Sequence, residues 1–169
     1  MPAQVREIAL RRMRRLGAIF AEKQTILCLE PVPATAGGKF LLTTRETAEF
    51  VREVGHAGIG LNLDAAFLSG EGVPIEESVR AFADVIAHVH ASEPELGTFA
   101  NPKADHGAIA AALRKIDYRG AVAIEHEQHI HACQQSCIAF CLKDANFLAS
   151  GKELQVFRHV TGIHQVYCL

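Results

Sequence analysis

The hydrophobic pattern of this 169-residue chain contains four short apolar runs. Each run ends in a residue that can bind a metal or carry a proton. Their length and apolar content are typical of buried strands. In the third run, His88 and His90 precede a polar loop that begins at Ser92. The runs span residues 25–30, 59–64, 85–94 and 121–125.

The terminal polar residues are expected to lie on one face of a sheet. Successive side chains of a strand point to opposite faces, so Asp64 shares a face with Asn62 and Gly60, and His90 with His88. The other faces carry larger apolar residues. The residues expected to converge are Glu30, Asp64, His90 and Glu125.

Helical patterns alternate with these strands. An apolar period of 3.6 predicts a helix over 3–22. A capping box at Thr43–Glu46 begins a second helix that ends near Gly55, Pro74 begins a third, and Asp105 caps a fourth over 106–116. The segments 31–42, 65–72 and 93–105 are predicted as loops. This alternation predicts an α/β fold with a parallel sheet and helices outside.

The positions of the four convergent residues suit a metal site. They are separated by 34, 26 and 35 residues, about one β/α unit each, and they end strands where α/β barrels carry active sites. Three carboxylates and one imidazole are suitable ligands for a divalent cation. Taken singly, each carboxylate could instead be a solvent-facing strand end, and each histidine a structural residue.

Composition narrows the function classes. A net charge of −2 with 21% charged residues gives no reason to expect nucleic-acid binding. The chain has no apolar run of about 18 residues, so no membrane span is expected. Five cysteines without a framework spacing favour a reducing cytoplasm.

The segment after residue 126 departs from the strand–helix alternation. We interpret 1–126 as a half-barrel domain and 127–169 as a helical tail that packs on it. Cysteines at 133, 137 and 141 follow helical spacing, which favours a buried stripe. A zinc site is the alternative, and its ligands would be His129, His131, Cys133 and Cys137.

Several of these motifs together resemble the sugar phosphate isomerase/epimerase family, whose members have a xylose isomerase-like TIM barrel. The motifs are Leu29-Glu30-Pro31, Phe40–Thr44, Leu61–Asp64, His88–Pro94 and Ala111–Glu125. Their order and spacing match across roughly residues 15–126. The resemblance specifies a superfamily and leaves the substrate open.

The resemblance implies a metal-dependent isomerase or epimerase. Its metal ligands would be Glu30, Asp64, His90 and Glu125, and its metal Mn²⁺ or Mg²⁺, with Zn²⁺ as the alternative. The substrate would be a keto sugar or a small hydroxy-ketone. Glu30 and Glu125 would then remove and return a proton through an enediolate.

Four further residues are candidate substrate contacts. His88 lies below His90 on the same face, where it would line the site or pack against its neighbour. Glu93, Lys103 and His106 follow the histidine strand and could contact a sugar hydroxyl or phosphate, or could cap loops instead.

Three departures from the family pattern keep other functions open. Phe67 and Leu96 stand where relatives carry a histidine and an arginine. The four strands are half of the eight that a barrel needs, so two sheet edges would be open and a homo-oligomer is expected. The alternatives are a degenerate or truncated half-barrel with a binding or structural role, and a metal-dependent lyase or phosphodiesterase.

Overall fold

The computed structural model describes residues 3–126 and the backbone of two later strands, 154–158 and 164–168. The first half of the chain has α1 (Ala3–Glu22), β1 (Leu27–Leu29), α2 (Thr44–Val54), β2 (Ile59–Asp64), α3 (Ala65–Gly70) and α4 (Ile75–Ala81). The second half has β3 (Ile86–Ser92), α5 (His106–Lys115), β4 (Val122–His126), β5 (Leu154–Arg158) and β6 (His164–Cys168). Short 3₁₀ helices lie at Ala34–Ala36 and Pro94–Leu96.

The sheet confirms the predicted α/β class. Its strand order is β1-β2-β3-β4-β6-β5, and the first four strands are parallel. Parallel neighbours need long crossover connections, and the helices between these strands provide them. The carboxyl ends of β1 to β4 therefore meet at one edge of the sheet.

The prediction of two open sheet edges is wrong at β4. Strand β6 pairs with β4 in antiparallel orientation, with Val122 opposite Cys168, and β5 pairs with β6. This pairing satisfies backbone groups of β4 that an open edge would leave exposed. Among the described residues, β1 pairs with β2 alone.

The predicted helical tail agrees poorly with the parts of the tail that the structure describes, because β5 and β6 are strands. Their backbone hydrogen bonds depend on the distant β4, which local sequence spacing does not reveal. The proposed zinc ligands His129, His131, Cys133 and Cys137 lie outside the described residues, so the zinc site stays a prediction.

The start of α2 has the predicted capping bond from Thr43, while the Glu46 side chain reaches back to Leu42, one residue before the N-cap. The Thr43 hydroxyl accepts a hydrogen bond from the Glu46 backbone N–H at 3.1 Å, and Glu46 Oε2 accepts one from the Leu42 N–H at 2.8 Å. Gly55 ends the helix with a φ of 62°, a left-handed conformation that glycine adopts without strain. Residue pattern and local geometry therefore agree here.

The prediction of a loop over 65–72 is wrong, because α3 occupies Ala65–Gly70. Asp64 Oδ1 accepts a hydrogen bond from the Phe67 backbone N–H at 2.8 Å and so caps the helix. Gly70 and Gly72 disfavour a helix by residue type alone. Gly70 is instead the last helical residue.

The apolar core lies between the helices and the outer face of the sheet. Leu61, Leu63 and Val89 point outward from β2 and β3 and pack with Val79 of α4 and Leu113 of α5. Burial of these side chains holds the central strands in register. The inner face is consequently left to the smaller and more polar residues. No helix in the described residues is long and apolar enough to cross a membrane.

Candidate metal centre

The parallel register brings the four predicted ligands to one place on the inner face. Asp64 is paired with His90 across β2 and β3, and Glu125 is paired with Ser92 across β3 and β4. Glu30 directly follows β1. One ligand atom from each of Glu30, Asp64, His90 and Glu125 lies within 4.8 Å of the others. This spacing allows the four to share one cation.

His90 is at the centre of the group. Its Nδ1 atom lies 3.2 Å from Glu30 Oε1 and 3.1 Å from Glu125 Oε2. The Asn62 side-chain amide nitrogen is 3.0 Å from the same ring nitrogen. Three polar atoms therefore surround one imidazole nitrogen, which can carry a single proton or a single metal bond.

Asp64 is held in place by two hydrogen bonds and is buried. Its Oδ2 accepts a hydrogen bond from the Ser92 hydroxyl at 2.5 Å, and its Oδ1 accepts the capping bond from Phe67. Ser92 in turn accepts one from the Ala66 N–H at 3.2 Å. The carboxylate thus has a fixed orientation before any ligand binds.

The pKa values of Asp64 and His90 are both raised, so the centre binds protons more tightly than these side chains do in water. Burial raises the pKa of Asp64 to about 6, against the opposing hydrogen bonds from Ser92 and Phe67. Burial lowers the pKa of His90, but hydrogen bonds and charges from Glu125 and Glu30 outweigh it and raise the value to about 10. The metal-free centre therefore retains protons where a cation would otherwise bind.

The donor set fits a divalent cation. Within the described part of the chain, the ion pairs of Glu30 and Glu125 are both with His90, and no lysine or arginine pairs with Asp64. Three carboxylates against one imidazole leave excess negative charge in a largely buried place. Oxygen-rich sites with one histidine suit Mn²⁺ or Mg²⁺, and the arrangement also admits Zn²⁺.

His88 lies beside the centre. Its ring meets the His90 ring edge to face, with centroids 5.1 Å apart. Burial and then the neighbouring His90 lower the pKa of His88 to about 4, so it is neutral near pH 7. The geometry places it as packing beneath His90, and a substrate contact at His88 stays a prediction.

The three other candidate substrate contacts, Glu93, Lys103 and His106, follow His90 along the chain, and a substrate contact at any of them stays a prediction. Glu93 follows Ser92, so strand alternation turns it away from the face of His90. Its Oε1 lies 2.5 Å from His106 Nε2, and its Oε2 accepts hydrogen bonds from the backbone N–H groups of Lys103 and Ala104. Lys103 itself is exposed. The buried pair of Glu93 and His106 anchors the loop after β3.

Two residues of the site were not among the predicted ligands or substrate contacts. Asn62 donates to Glu30 Oε1 at 2.8 Å, and Ser92 donates to Asp64. Strand alternation already places Asn62 on the face of Asp64. Ser92 was assigned to a loop, but β3 continues through it, and the same alternation from His90 would have placed it at the site.

Comparison with known proteins agrees with this geometry. Residues 2–145 match the family of xylose isomerase-like TIM barrels. The chain is 28% identical over 117 residues to D-psicose 3-epimerase of Enterocloster bolteae, covering 69% of this chain and 38% of that protein. It is 31% identical over 113 residues to L-ribulose 3-epimerase of a Methylomonas species, covering 67% of this chain and 39% of that protein.

A solved structure gives the same fold at a similar level of identity. The Methylomonas D-allulose 3-epimerase in complex with D-allulose superposes with a TM-score of 0.67 at 26% identity, covering 82% of this chain and 49% of that one. The chain spans about two fifths of the length of the curated relatives it matches. On the family match and the shared fold, this chain belongs to the xylose isomerase-like TIM barrel family.

Proposed function

We propose that this chain carries the metal centre of a sugar isomerase or epimerase that acts on a keto sugar or a small hydroxy-ketone. The observation that carries the proposal is a pair of carboxylates, Glu30 and Glu125, on either side of His90. The names of the relatives, which are 3-epimerases of ketoses, support the same chemistry.

The carboxylates differ in access, and this suggests different roles. The side chain of Glu30 is 32% exposed and that of Glu125 is 17% exposed, whereas Asp64 is 2% exposed and hydrogen-bonded through both oxygens. A substrate can reach the first two more readily. We assign Asp64 and His90 to holding the cation, and Glu30 and Glu125 to both holding it and moving protons.

Epimerisation requires a proton to leave one face of a carbon and to return on the other. Glu30 follows β1 and Glu125 lies on β4, the two outer strands of the parallel block. Carboxylates on both sides of a bound substrate meet this requirement. A divalent cation held here would supply Lewis-acid stabilisation of the negative charge that develops on the substrate oxygen.

The specific sugar is a separate matter. Phe67 stands three residues after Asp64, where many family members carry a histidine, and Leu96 falls near the place of a family arginine. Polar contacts to a sugar at these two positions therefore do not carry over to this chain. A panel of ketoses and hydroxy-ketones is needed, and D-allulose and L-ribulose belong in it.

The test combines metal binding with proton exchange. The protein is titrated with Mn²⁺ by calorimetry, then incubated with each panel member in D₂O and followed by NMR. The proposal expects Mn²⁺ binding, and deuterium incorporation next to the carbonyl that Glu125→Gln abolishes. Glu76→Gln is the matched control, because Glu76 is an exposed glutamate that pairs with Lys115 on the helical layer. Absence of Mn²⁺ binding, or exchange that Glu125→Gln retains in full, contradicts the proposal.

We also propose that this chain self-associates through the edge of its sheet at β1. Ile26 and Val32, on either side of β1, are 47% and 43% exposed, and the edge of β1 has no strand partner among the described residues. Open edges and exposed apolar side chains favour association. Light scattering at micromolar concentration is expected to give a dimer or larger species, and a stable monomer contradicts this.

A further inference from the structure

Asn62 occupies an unusual place within the candidate metal centre. It lies on β2 opposite His88, on the same face as Asp64, and is 5% exposed. Its amide nitrogen lies 2.8 Å from Glu30 Oε1 and 3.0 Å from His90 Nδ1. One side chain therefore contacts two proposed ligands that come from different strands.

The other half of the Asn62 amide, its oxygen, has no hydrogen-bond partner among the described residues. In the part of the chain that the structure describes, Asn62 Oδ1 is the buried side-chain polar atom that makes no hydrogen bond. A buried acceptor without a donor destabilises the folded state, because it has lost its hydrogen bond to water without gaining another. Within the described residues, the Asn62 side chain therefore donates to Glu30, while its oxygen accepts no hydrogen bond.

Glu30 depends on Asn62 more than Asp64 depends on any one neighbour. Asp64 is oriented by both Ser92 and the Phe67 N–H. Among the described residues, Glu30 contacts only His90 and Asn62 through its carboxylate, both at Oε1. The amide therefore fixes one oxygen of Glu30, and Oε2 makes no hydrogen bond to the residues that the structure describes.

We propose that Asn62 is a positioning residue of the metal centre. Its amide N–H group donates to Glu30 Oε1, and its nitrogen lies 3.0 Å from His90 Nδ1, so it holds the Glu30 carboxylate beside the His90 ring, where their ligand atoms converge. This inference rests on the proposed metal-dependent function and adds a residue to it. A role in metal binding, and not in stability, explains why an amide with one unsatisfied oxygen stands at this buried position.

The test separates metal binding from stability. Asn62→Leu keeps a similar volume and removes both the donor and the unpartnered acceptor. We expect Mn²⁺ affinity, measured by calorimetry, to fall about 10- to 100-fold, as for other residues that orient metal ligands. We expect the Tm of the metal-free protein to stay the same or rise, because the unsatisfied oxygen is gone. A structural role predicts the opposite pair of results.

Controls keep the failure of this inference distinct from failure of the proposed function. Thr47→Val is the matched polar-to-apolar change, since buried Thr47 donates to the Thr43 carbonyl on α2, away from the centre. It should leave Mn²⁺ affinity unchanged. Asn62→Ala removes the same amide without adding branched carbon and replaces the leucine variant if that one does not fold.

Two outcomes overturn the inference. If the wild type binds Mn²⁺ and the Asn62 variants bind it equally well, Asn62 does not position the ligands, although the proposed function stands. If the wild type binds no Mn²⁺, the proposed function and this inference fail together. The Mn²⁺ electron paramagnetic resonance spectrum gives a second readout, which we expect to change in Asn62→Leu and to be the same in Thr47→Val.

Discussion

Two groups of histidine and carboxylate side chains differ in how their carboxylates are satisfied, and His90 of one group lies three residues before Glu93 of the other. In the pair formed by Glu93 and His106, both carboxylate oxygens have donors, one from the imidazole and the other from two backbone N–H groups. In the metal centre, Glu30 and Glu125 both contact the single Nδ1 atom of His90. In the first group every carboxylate oxygen has a donor, whereas in the second two carboxylates share one nitrogen.

The difference shows how a structural hydrogen-bonded pair can be told from a metal site. Residue types are similar in both groups. What separates them is the ratio of acceptors to donors, because the centre has three carboxylates and one imidazole, and two of the carboxylates are partly exposed. A cation completes such a group, whereas it would have to displace donors from the Glu93–His106 pair.

The largest expected effect is on stability and tests the Glu93–His106 pair. His106→Ala leaves the buried Glu93 carboxylate without its imidazole partner. We expect the free energy of unfolding, measured by urea denaturation, to fall by about 3–5 kcal/mol, the usual loss when one partner of a buried pair is removed. Lys115→Ala breaks an exposed pair with Glu76 and should change stability very little. Loss of Mn²⁺ affinity in folded His106→Ala would show that the two groups are not independent.

The next effect concerns catalysis at the centre. Glu125→Gln keeps the shape of the side chain and removes its charge and basicity. We expect turnover on any accepted ketose to fall about 100-fold or more, the usual contribution of a positioned proton-transfer group. Metal affinity should fall only modestly, since three ligands remain. His88→Ala should lower turnover less, roughly 10- to 100-fold, because His88 packs against a ligand. The reverse order of effects would contradict these roles.

A smaller effect is expected at Ser92. Ser92→Ala leaves Asp64 Oδ2 without its hydroxyl donor, so the carboxylate can rotate. Mn²⁺ affinity should fall about 10-fold, in the range for residues that orient ligands, and Ser92→Thr should restore much of it. Calorimetric titration of both variants provides the measurement. Equal affinities in the alanine variant and the wild type would show that the N-terminal turn of α3 is enough to orient Asp64.

The smallest effect is a dependence on pH. Asp64 has a folded-state pKa of about 6, above its ordinary 3.8, so its protonation stabilises the metal-free fold less and less as pH rises from about 4 to 6. His90, raised from 6.5 to about 10, stabilises the fold below 6.5 and loses this contribution as pH rises toward 10. His88, whose pKa is lowered to about 4, opposes the Asp64 contribution below pH 6.5, so the Tm of the metal-free protein should fall with rising pH above 6.5.

Mn²⁺ should reverse that trend, because the cation competes with protons for the same atoms. The rise in Tm on adding Mn²⁺ should be larger at pH 8 than at pH 5.5. Glu125→Gln removes one of the charges that raise the pKa of His90, so its metal-free Tm should depend less on pH. A Mn²⁺ effect of equal size at both pH values would contradict competition at this centre.

The convergence of the four candidate ligands was predictable from sequence because it depends on two regular features. Strand alternation fixes the face of each residue, and the repeat of the β/α unit fixes the strand end at which Glu30, Asp64, His90 and Glu125 appear. Neither feature requires knowledge of side-chain contacts. Helix α2 was equally predictable from sequence, because the residues that cap it are neighbours along the chain.

The features that sequence reasoning missed depend on one residue having two roles or on distant pairing. Asp64 is both a candidate ligand and the cap of α3, so assigning it to the site hid the helix that follows it. Glu93 was predicted as a substrate contact from its position along the chain. Its contact with His106, 13 residues later, forms only when the loop folds back, and the sequence does not indicate it. The pairing of β4 with β6 joins segments separated by a long stretch of chain, and local propensity does not encode it.

Calorimetric titration of the metal-free wild-type protein with Mn²⁺, alongside Glu125→Gln and His106→Ala, tests the central claim most directly. The account predicts one Mn²⁺ bound per chain in the wild type, weaker binding in Glu125→Gln, and wild-type affinity in folded His106→Ala. Absence of binding to the wild type, or binding that is lost in His106→Ala and unchanged in Glu125→Gln, would contradict the assignment of the metal centre to Glu30, Asp64, His90 and Glu125.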